Sequence, residues 1–261
     1  MNDHPLASDT SVDRIKRKVC VVLPAYNEES RIGKLLDRLD EAMLEAFLSY
    51  QVIIIDDGSQ DETAKIVQEY GLRMPILLKQ HPVNMGLGAT IRDGILEATK
   101  LTKDRDIIVT MDADDTHTPG LILRMVRMIR EGYDVVIASR YQKGSRVVGV
   151  PLQRRFLSCC ASLVFRLFFP IRGVRDFTCG YRAYRTEVLK KAISHYGNSF
   201  MNQEGFQCMV DILLKLRQMN LIFGEVPFIL RYDIKEGGTK MNIVQTIRDS
   251  LLLLFRRRFG K

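Results

Sequence analysis

Asp106-Ile107-Ile108-Val109-Thr110-Met111 runs directly into Asp112-Ala113-Asp114-Asp115. The apolar part has the composition of a strand buried on both faces, and the acidic part sets three carboxylates where that strand surfaces. Such carboxylates repel one another when desolvated and are costly unless a cation or protons neutralise them. On an extended chain Asp112 and Asp114 leave the same face, so they can grip one hard divalent cation through oxygen, with the Thr116 hydroxyl as a further donor. The alternative is a surface turn in which Asp115 or Thr116 caps a helix opened by Pro119.

The same unit recurs on both sides of this stretch. Val19-Cys20-Val21-Val22-Leu23 is a buried-strand run stopped by Pro24, and a helix follows with Ile32, Leu35, Leu36, Leu39 and Met43 on one face. Gln51 to Ile55 is a second such run, ending in Asp56-Asp57-Gly58-Ser59. The helix after it begins near Asp61 and carries Ala64, Ile66 and Val67. Ile76-Leu77-Leu78 precedes Asn84-Met85-Gly86-Leu87-Gly88-Ala89 and another helix. After the acidic stretch come a helix from Pro119 to Arg130 and a strand, Val135 to Ala138. Strands alternating with helices predict an α/β fold with a mainly parallel, Rossmann-like sheet covered by helices. Ligands of such sheets bind beyond the carboxyl ends of the strands, where Pro24 to Tyr26, Asp56-Asp57, Asp112 to Asp114 and Ser139-Arg140 all fall. Gly86 and Gly88 do not make a dinucleotide fingerprint, because Ile91 stands where its third glycine is needed. They suit either a tight loop before a helix or direct ligand contact.

With 261 residues, 46% of them apolar, the chain has enough material for a sizeable core. No uninterrupted apolar run reaches the roughly 18 residues of a membrane span, and the polar N-terminus has no signal-peptide h-region. These features predict a cytoplasmic protein, or one peripheral on the cytoplasmic face of a membrane. Five cysteines without Cys-x-x-Cys spacing indicate a reducing compartment, and adjacent Cys159 and Cys160, inside an apolar run, are expected to be buried thiols. Residues 1–17 read as a flexible tail, 18–241 as the catalytic domain and 242–261 as an amphipathic basic helix ending in Arg256-Arg257-Arg258.

The net charge of +8 is concentrated. Arg140 to Arg185 holds ten Lys/Arg against one acid, Asp176, which gives +9 there and about −1 elsewhere. The absence of Trp, of helix-turn-helix spacing and of zinc-finger spacing argues against nucleic acid and leaves a phosphorylated small molecule or an anionic membrane as the partner. Arg154 and Ser158 are four apart on a predicted helix and can hold one phosphate together, although Arg154 also suits a solvated surface. The apolar stretch 156 to 169 is broken by Arg166 and Pro170, so it fits either an interfacial helix or a core helix. Gly237-Gly238-Thr239-Lys240 suits a lid closing on phosphate, or a solvated turn.

Six stretches, taken in order, carry a resemblance: Leu23-Pro24-Ala25-Tyr26-Asn27-Glu28, Ile55-Asp56-Asp57-Gly58-Ser59, Asn84 to Gly88, Asp112-Ala113-Asp114, Ser139-Arg140-Tyr141 and Asp176 to Arg182. Over roughly residues 18 to 250 the chain resembles the family 2 glycosyltransferases of GT-A fold, and among them the dolichyl- and polyprenyl-phosphate sugar synthases. The resemblance implies that Pro24, Tyr26, Glu28, Ile55, Asp57, Asp112, Ala113, Asp114, Arg140 and Lys240 hold a nucleotide-sugar donor. It implies that Asp112 and Asp114 seat Mg2+ or Mn2+ on its diphosphate, and that Arg140, Arg154 and Ser158 meet an acceptor phosphate. Asp114 and Arg140 then stand nearest the chemistry. The chain departs from the pattern at Ile234, where such synthases often carry arginine, so that Lys235 or Arg231 would have to substitute. Cys179 stands where serine is common, and transmembrane helices found in some members are missing.

A metal bridging the phosphates, helped by Lys240, suits a diphosphate leaving group whose charge grows. A phosphate monoester acceptor is already anionic and needs arginines more than a base. The expected reaction is transfer of a hexose, with inversion, to dolichyl or polyprenyl phosphate at a membrane surface. Mannose is favoured by the synthases resembled, and no residue separates GDP-mannose from UDP-glucose or UDP-N-acetylglucosamine. A membrane-protein partner or a homo-oligomer is compatible with this. A hydroxyl acceptor would instead need a general base, with Asp176 or Asp211 as candidates. An inactive membrane-surface scaffold that binds nucleotide is the reading outside enzymes. A sugar-nucleotide pyrophosphorylase is not supported, because no Gly-x-Gly-Thr-Arg follows the first strand.

Overall fold

Four apolar runs lie side by side as parallel strands: β1 (Val19–Ala25), β2 (Tyr50–Asp56), β3 (Ile76–Gln80) and β4 (Ile107–Thr110). The computed structural model describes residues 17–205 and 207–234, without the side chains of residues 153, 154, 156, 157 and 234. The N-terminal tail to residue 16, the basic helix 242–261, Lys235, Lys240 and the Arg154 side chain therefore lie outside the described residues. Three more strands complete the sheet, β5 (Val135–Ser139), β7 (Arg182–Arg185) and β8 (Phe223–Pro227), in the order β3-β2-β1-β4-β7-β5-β8. All pairs are parallel except those of β7, which runs antiparallel to both β4 and β5. The strand order reverses at β1 and β4, so their carboxyl ends flank the crevice in which such sheets bind ligands.

Pro24 does not stop β1, contrary to the sequence expectation, and parity explains why. Val22 carbonyl accepts from Met111 on the β4 side, and Ala25 carbonyl accepts from Asp57 on the β2 side. Alternate residues face alternate neighbours, so the N–H that proline lacks would point past Thr110, where pairing with β4 has already ended.

Helices cover the sheet: α1 (Ile32–Glu45), α2 (Thr63–Tyr70), α3 (Leu87–Leu101), α4 (Leu121–Arg130), α5 (Leu152–Phe168), α6 (Thr186–Tyr196) and α7 (Gln207–Leu216). The five α1 residues expected on one face are all buried, each contributing about 1.5–3 kcal/mol over exposure. α3 lies on β1 and β2, and α4 on β5 and β7. Phe223 to Arg231 forms two strands. β8 ends at Pro227, buried Phe228 turns the corner, and β9 (Ile229–Arg231) pairs with β6 (Arg146–Val148) in a small parallel ribbon that the sequence reading missed.

α5 is amphipathic in an unusual sense. Phe165 and Ser162 face the body, while Leu152 at 79% exposure, Leu163, Leu167 at 71% and Phe168 face outward. Cys159 and Cys160 lie exposed on this helix, which corrects the expectation of buried thiols. Cys20, Cys179 and Cys208 are buried, and burial pushes each thiol up to about 12. Native protein at about pH 8 is therefore expected to take up maleimide at two cysteines and denatured protein at five, counted by intact mass.

Candidate active site

The loops after β1 and β2 hold each other by reciprocal bonds. Asn27 N–H donates to Ser59 Oγ at 2.9 Å and Glu28 N–H to Thr63 Oγ1 at 2.8 Å, while Gln60 N–H donates back to Asn27 Oδ1 at 2.8 Å. This lacing shapes one wall of the crevice from Tyr26 to Glu28. Glu28 is nearly buried and lies 3.4 Å from the Arg31 guanidinium. Ile55 is fully buried between β1 and β3, so its side chain supports the floor of the crevice.

Asp57 is nearly as deep, and its oxygens are already engaged. Oδ1 accepts from Met85 N–H at 2.9 Å and lies 2.7 Å from His81 Nδ1, and Oδ2 accepts from Gly86 N–H at 2.8 Å. His81 Nε2 lies 3.2 Å from Asp93 on α3. Asp57 thus fixes the loop that leads into α3, as well as standing at the crevice. Gly86, at φ +84°, precedes α3 in a conformation that disfavours other residues, and a Cβ on Gly88 would lie 2.1 Å from the Gln203 carbonyl. Both glycines are thereby explained by backbone geometry.

β4 ends at Thr110, so Asp112 and Asp114 are presented by a turn and not by the alternation of an extended strand. Asp114 Oδ1 accepts from Thr116 N–H at 3.2 Å and Thr116 Oγ1 at 2.6 Å. Thr116 is buried, with its N–H and hydroxyl turned to Asp114. Asp115, at φ +56°, caps no helix and faces little solvent; it pairs with Arg38 of α1 at 2.5 Å. Burial pushes its carboxyl up, and Asp114 adds to this while Arg38 opposes it. The Asp112 side chain is 45% exposed and the Ala113 side chain is buried.

Among the described residues, no group of three or more His, Cys, Asp or Glu side chains is placed to hold a metal ion. Two carboxylates on a half-open turn fit a hard cation that takes its remaining oxygens from a substrate diphosphate and water, and do not fit a resident all-protein cage.

Across the crevice Arg140 meets the lone acid of the +9 segment. Arg140 Nε and Nη2 each donate to an oxygen of Asp176 at 2.8 Å, and Nη2 also to Thr178 Oγ1 at 2.5 Å. Asp176 is fully buried and also accepts from the backbone N–H of Arg140 and Cys179. Burial pushes its carboxyl up, but Arg140 and these bonds outweigh it and hold Asp176 below its ordinary value. Tyr141, next to Arg140 in the chain, places its Oη 2.8 Å from Ser158 Oγ on α5. Arg231, a candidate for the missing lid arginine, spends Nε and Nη2 on Asp233 at 2.9 Å each.

The sequence reading missed His81, which holds Asp57 with Asp93 behind it, His117, which holds Asp112, and Arg38, which pairs with Asp115. Of these, His81 had a signal: it follows β3 at the same end as the other strand-end motifs.

A family model described as glycosyl transferase family 2 matches residues 20–193. The chain belongs to glycosyl transferase family 2. It is 32% identical over 240 residues to a dolichol-phosphate mannosyltransferase of Pyrococcus furiosus, covering 92% of this chain and 63% of that relative's length. It is 29% identical to a polyprenol monophosphomannose synthase of Mycolicibacterium smegmatis, covering 93% of this chain and 88% of that protein. Among solved structures, Mycobacterium tuberculosis glucosyl-3-phosphoglycerate synthase in complex with Mn2+, UDP-glucose and phosphoglyceric acid aligns at a TM-score of 0.64 and 18% identity. That alignment covers 98% of this chain and 86% of the other. The family 2 fold expected from the six stretches is the fold observed, a GT-A arrangement with a mostly parallel seven-stranded sheet.

Proposed function

We propose that this family 2 glycosyltransferase moves a hexose, with mannose favoured, from a nucleotide-sugar donor to a polyprenyl or dolichyl phosphate at a membrane surface. The observation that carries the acceptor assignment is the position of Arg140, Tyr141 and Ser158. Tyr141, next to Arg140 in the chain, meets Ser158 of α5, a helix whose outer side exposes Leu152, Leu163, Leu167 and Phe168. An anion-binding corner beside an apolar helix suits a phosphate on a lipid tail. Arg155 and Arg166 are exposed on the same helix and suit headgroup phosphates. No helix among the described residues is long and apolar enough to cross a membrane, so attachment would be by this surface.

In this reading the crevice between β1 and β4 takes the donor. Asp112 and Asp114 would hold Mg2+ or Mn2+, which would supply positive charge for a departing diphosphate. Pro24, Tyr26, Glu28, Ile55, Asp57 and Ala113 are assigned to the nucleotide, and Lys240 to a lid on its phosphates. Arg140 has Nε and Nη2 committed, so Nη1 is the group that would turn to the acceptor, with Ser158 and Arg154 completing the proposed phosphate set. The Asp176 partner offsets part of the Arg140 charge, which leaves the acceptor oxygen nucleophilic. Direct displacement with inversion follows.

The buried acids speak against a hydroxyl acceptor. Asp176 is bound by Arg140 and backbone N–H groups, and Asp211 is fully buried and paired with Lys215 at 2.5 Å. Neither is placed to take a substrate proton. The test supplies GDP-mannose, UDP-glucose and UDP-N-acetylglucosamine in turn, with polyprenyl phosphate in anionic vesicles and manganese present. One donor is expected to give a lipid-phosphate hexose detectable by mass spectrometry. Transfer to free saccharides in place of lipid phosphate would overturn the acceptor assignment.

A further inference from the structure

His117 stands three residues beyond Asp114 and has no part in the reading above. It is 4% exposed and clamped on two sides. The Tyr181 ring stacks on it at 5.0 Å and 11°, and Phe228 meets it edge-on at 5.1 Å and 81°. Tyr181 is itself pinned, its hydroxyl donating to the Thr118 carbonyl at 3.0 Å. So held, the imidazole turns both nitrogens to one residue. Asp112 N–H donates to Nδ1 at 3.1 Å, which makes Nδ1 the acceptor and puts the proton of the neutral ring on Nε2. Nε2 then stands 3.5 Å from Asp112 Oδ2, an electrostatic contact longer than a hydrogen bond.

The geometry points to His117 as the positioning residue for the metal carboxylate Asp112. Nδ1 fixes the Asp112 backbone, and the Nε2 proton biases its carboxylate towards one rotamer. This role rests on the proposed metal seat at Asp112 and Asp114. The physical need is clear from the exposure of Asp112. A half-exposed aspartate on a turn samples several rotamers, and a cation with two protein donors would have to freeze it at the moment of binding. A clamped neighbour removes that cost beforehand. Loss of such outer partners typically weakens metal binding by 10–100-fold.

The test measures Mn2+ affinity of the full chain with a nucleoside diphosphate present, by electron paramagnetic resonance, and thermal melting without metal. His117→Phe keeps a ring between Tyr181 and Phe228 and removes both nitrogens. It is expected to raise the Mn2+ dissociation constant by about 10–100-fold while the circular dichroism spectrum stays native. A histidine that only fills space would leave metal affinity unchanged even if melting fell. Affinity within about twofold of wild type therefore overturns the role. If His117→Phe does not fold, His117→Asn, which keeps an acceptor for Asp112 N–H and lacks the Nε2 proton, is expected to lose about tenfold, and unchanged affinity there overturns the role equally. Wild-type protein that binds no manganese overturns the metal seat itself, which separates the failure of the underlying reading from that of the His117 role.

Discussion

Asp114→Asn is expected to lower sugar transfer by about 10²–10³-fold while the melting temperature stays within about 2 °C of wild type. The two outcomes separate because the amide keeps what the turn needs and loses what the metal needs. Thr116 N–H and its hydroxyl both donate to Asp114 Oδ1, and the asparagine side-chain oxygen accepts those bonds equally well. What disappears is one of two negative charges available to a divalent cation. Asp114→Ala removes both functions and is expected to lower stability as well as turnover. Initial rates with a labelled donor, set beside melting curves and a chelator titration, check this. Full activity in the asparagine variant, together with indifference to chelator, would remove the metal from the mechanism.

Arg182→Met is the substitution expected to cost most in stability. The Arg182 guanidinium is fully buried and donates to three carbonyls, Cys179 at 2.8 Å, Met209 at 2.6 Å and Phe177 at 2.7 Å. Methionine keeps an unbranched apolar stem and donates nothing, which strands three buried acceptors at about 1–3 kcal/mol each. The sum lowers melting by about 10–20 °C in a chain of this size. Arg182→Lys, whose single ammonium cannot span three directions, is expected to fall between the two. Differential scanning calorimetry reads both, and a loss below about 3 °C in the methionine variant would mean that those carbonyls find other donors.

Arg182 also shows why part of the fold was hidden in the sequence. Apolar runs such as Val19 to Leu23 and Ile107 to Thr110 declare themselves, because both faces are buried and only apolar residues suit both. β7, written Arg-Ala-Tyr-Arg, is strand-like only at Ala183-Tyr184 and is buried at an arginine whose charge is met by backbone carbonyls, which leaves no apolar run to mark its place in the sheet. The antiparallel insertion of β7 between β4 and β5 was therefore not legible.

The strand-end motifs were legible for the opposite reason: several short polar groups recurring after apolar runs have one geometric meaning in a parallel sheet. Pairings at long range were not. The count of ten cations from Arg140 to Arg185 treats each as available, whereas Asp176, 36 residues away in the chain, occupies Arg140. Asp115 was read as a cap or a solvated acid because its neighbours in sequence suggested one, and Arg38, 77 residues away, decided otherwise. The stretch from 156 to 169 was ambiguous because α5 carries apolar residues on its inner and its outer side.

The strand order also sets a sequence of assembly. A chain made from its N-terminus can pair β3, β2, β1 and β4 as soon as residue 110 is available. β5 cannot join them, because its neighbours in the sheet are β7 and β8, made at residues 182–185 and 223–227. α5 emerges inside that gap. Its inner residue Phe165 has its stacking partner in Phe177, still to come. At about 5–20 residues per second, the helix therefore waits about 1–2 seconds for Phe177 with both apolar sides uncovered. A nascent chain in this state is prone to aggregate in bulk water, and a nearby bilayer would shelter it, so the time and place of synthesis bear on the yield of folded enzyme as much as the finished contacts do.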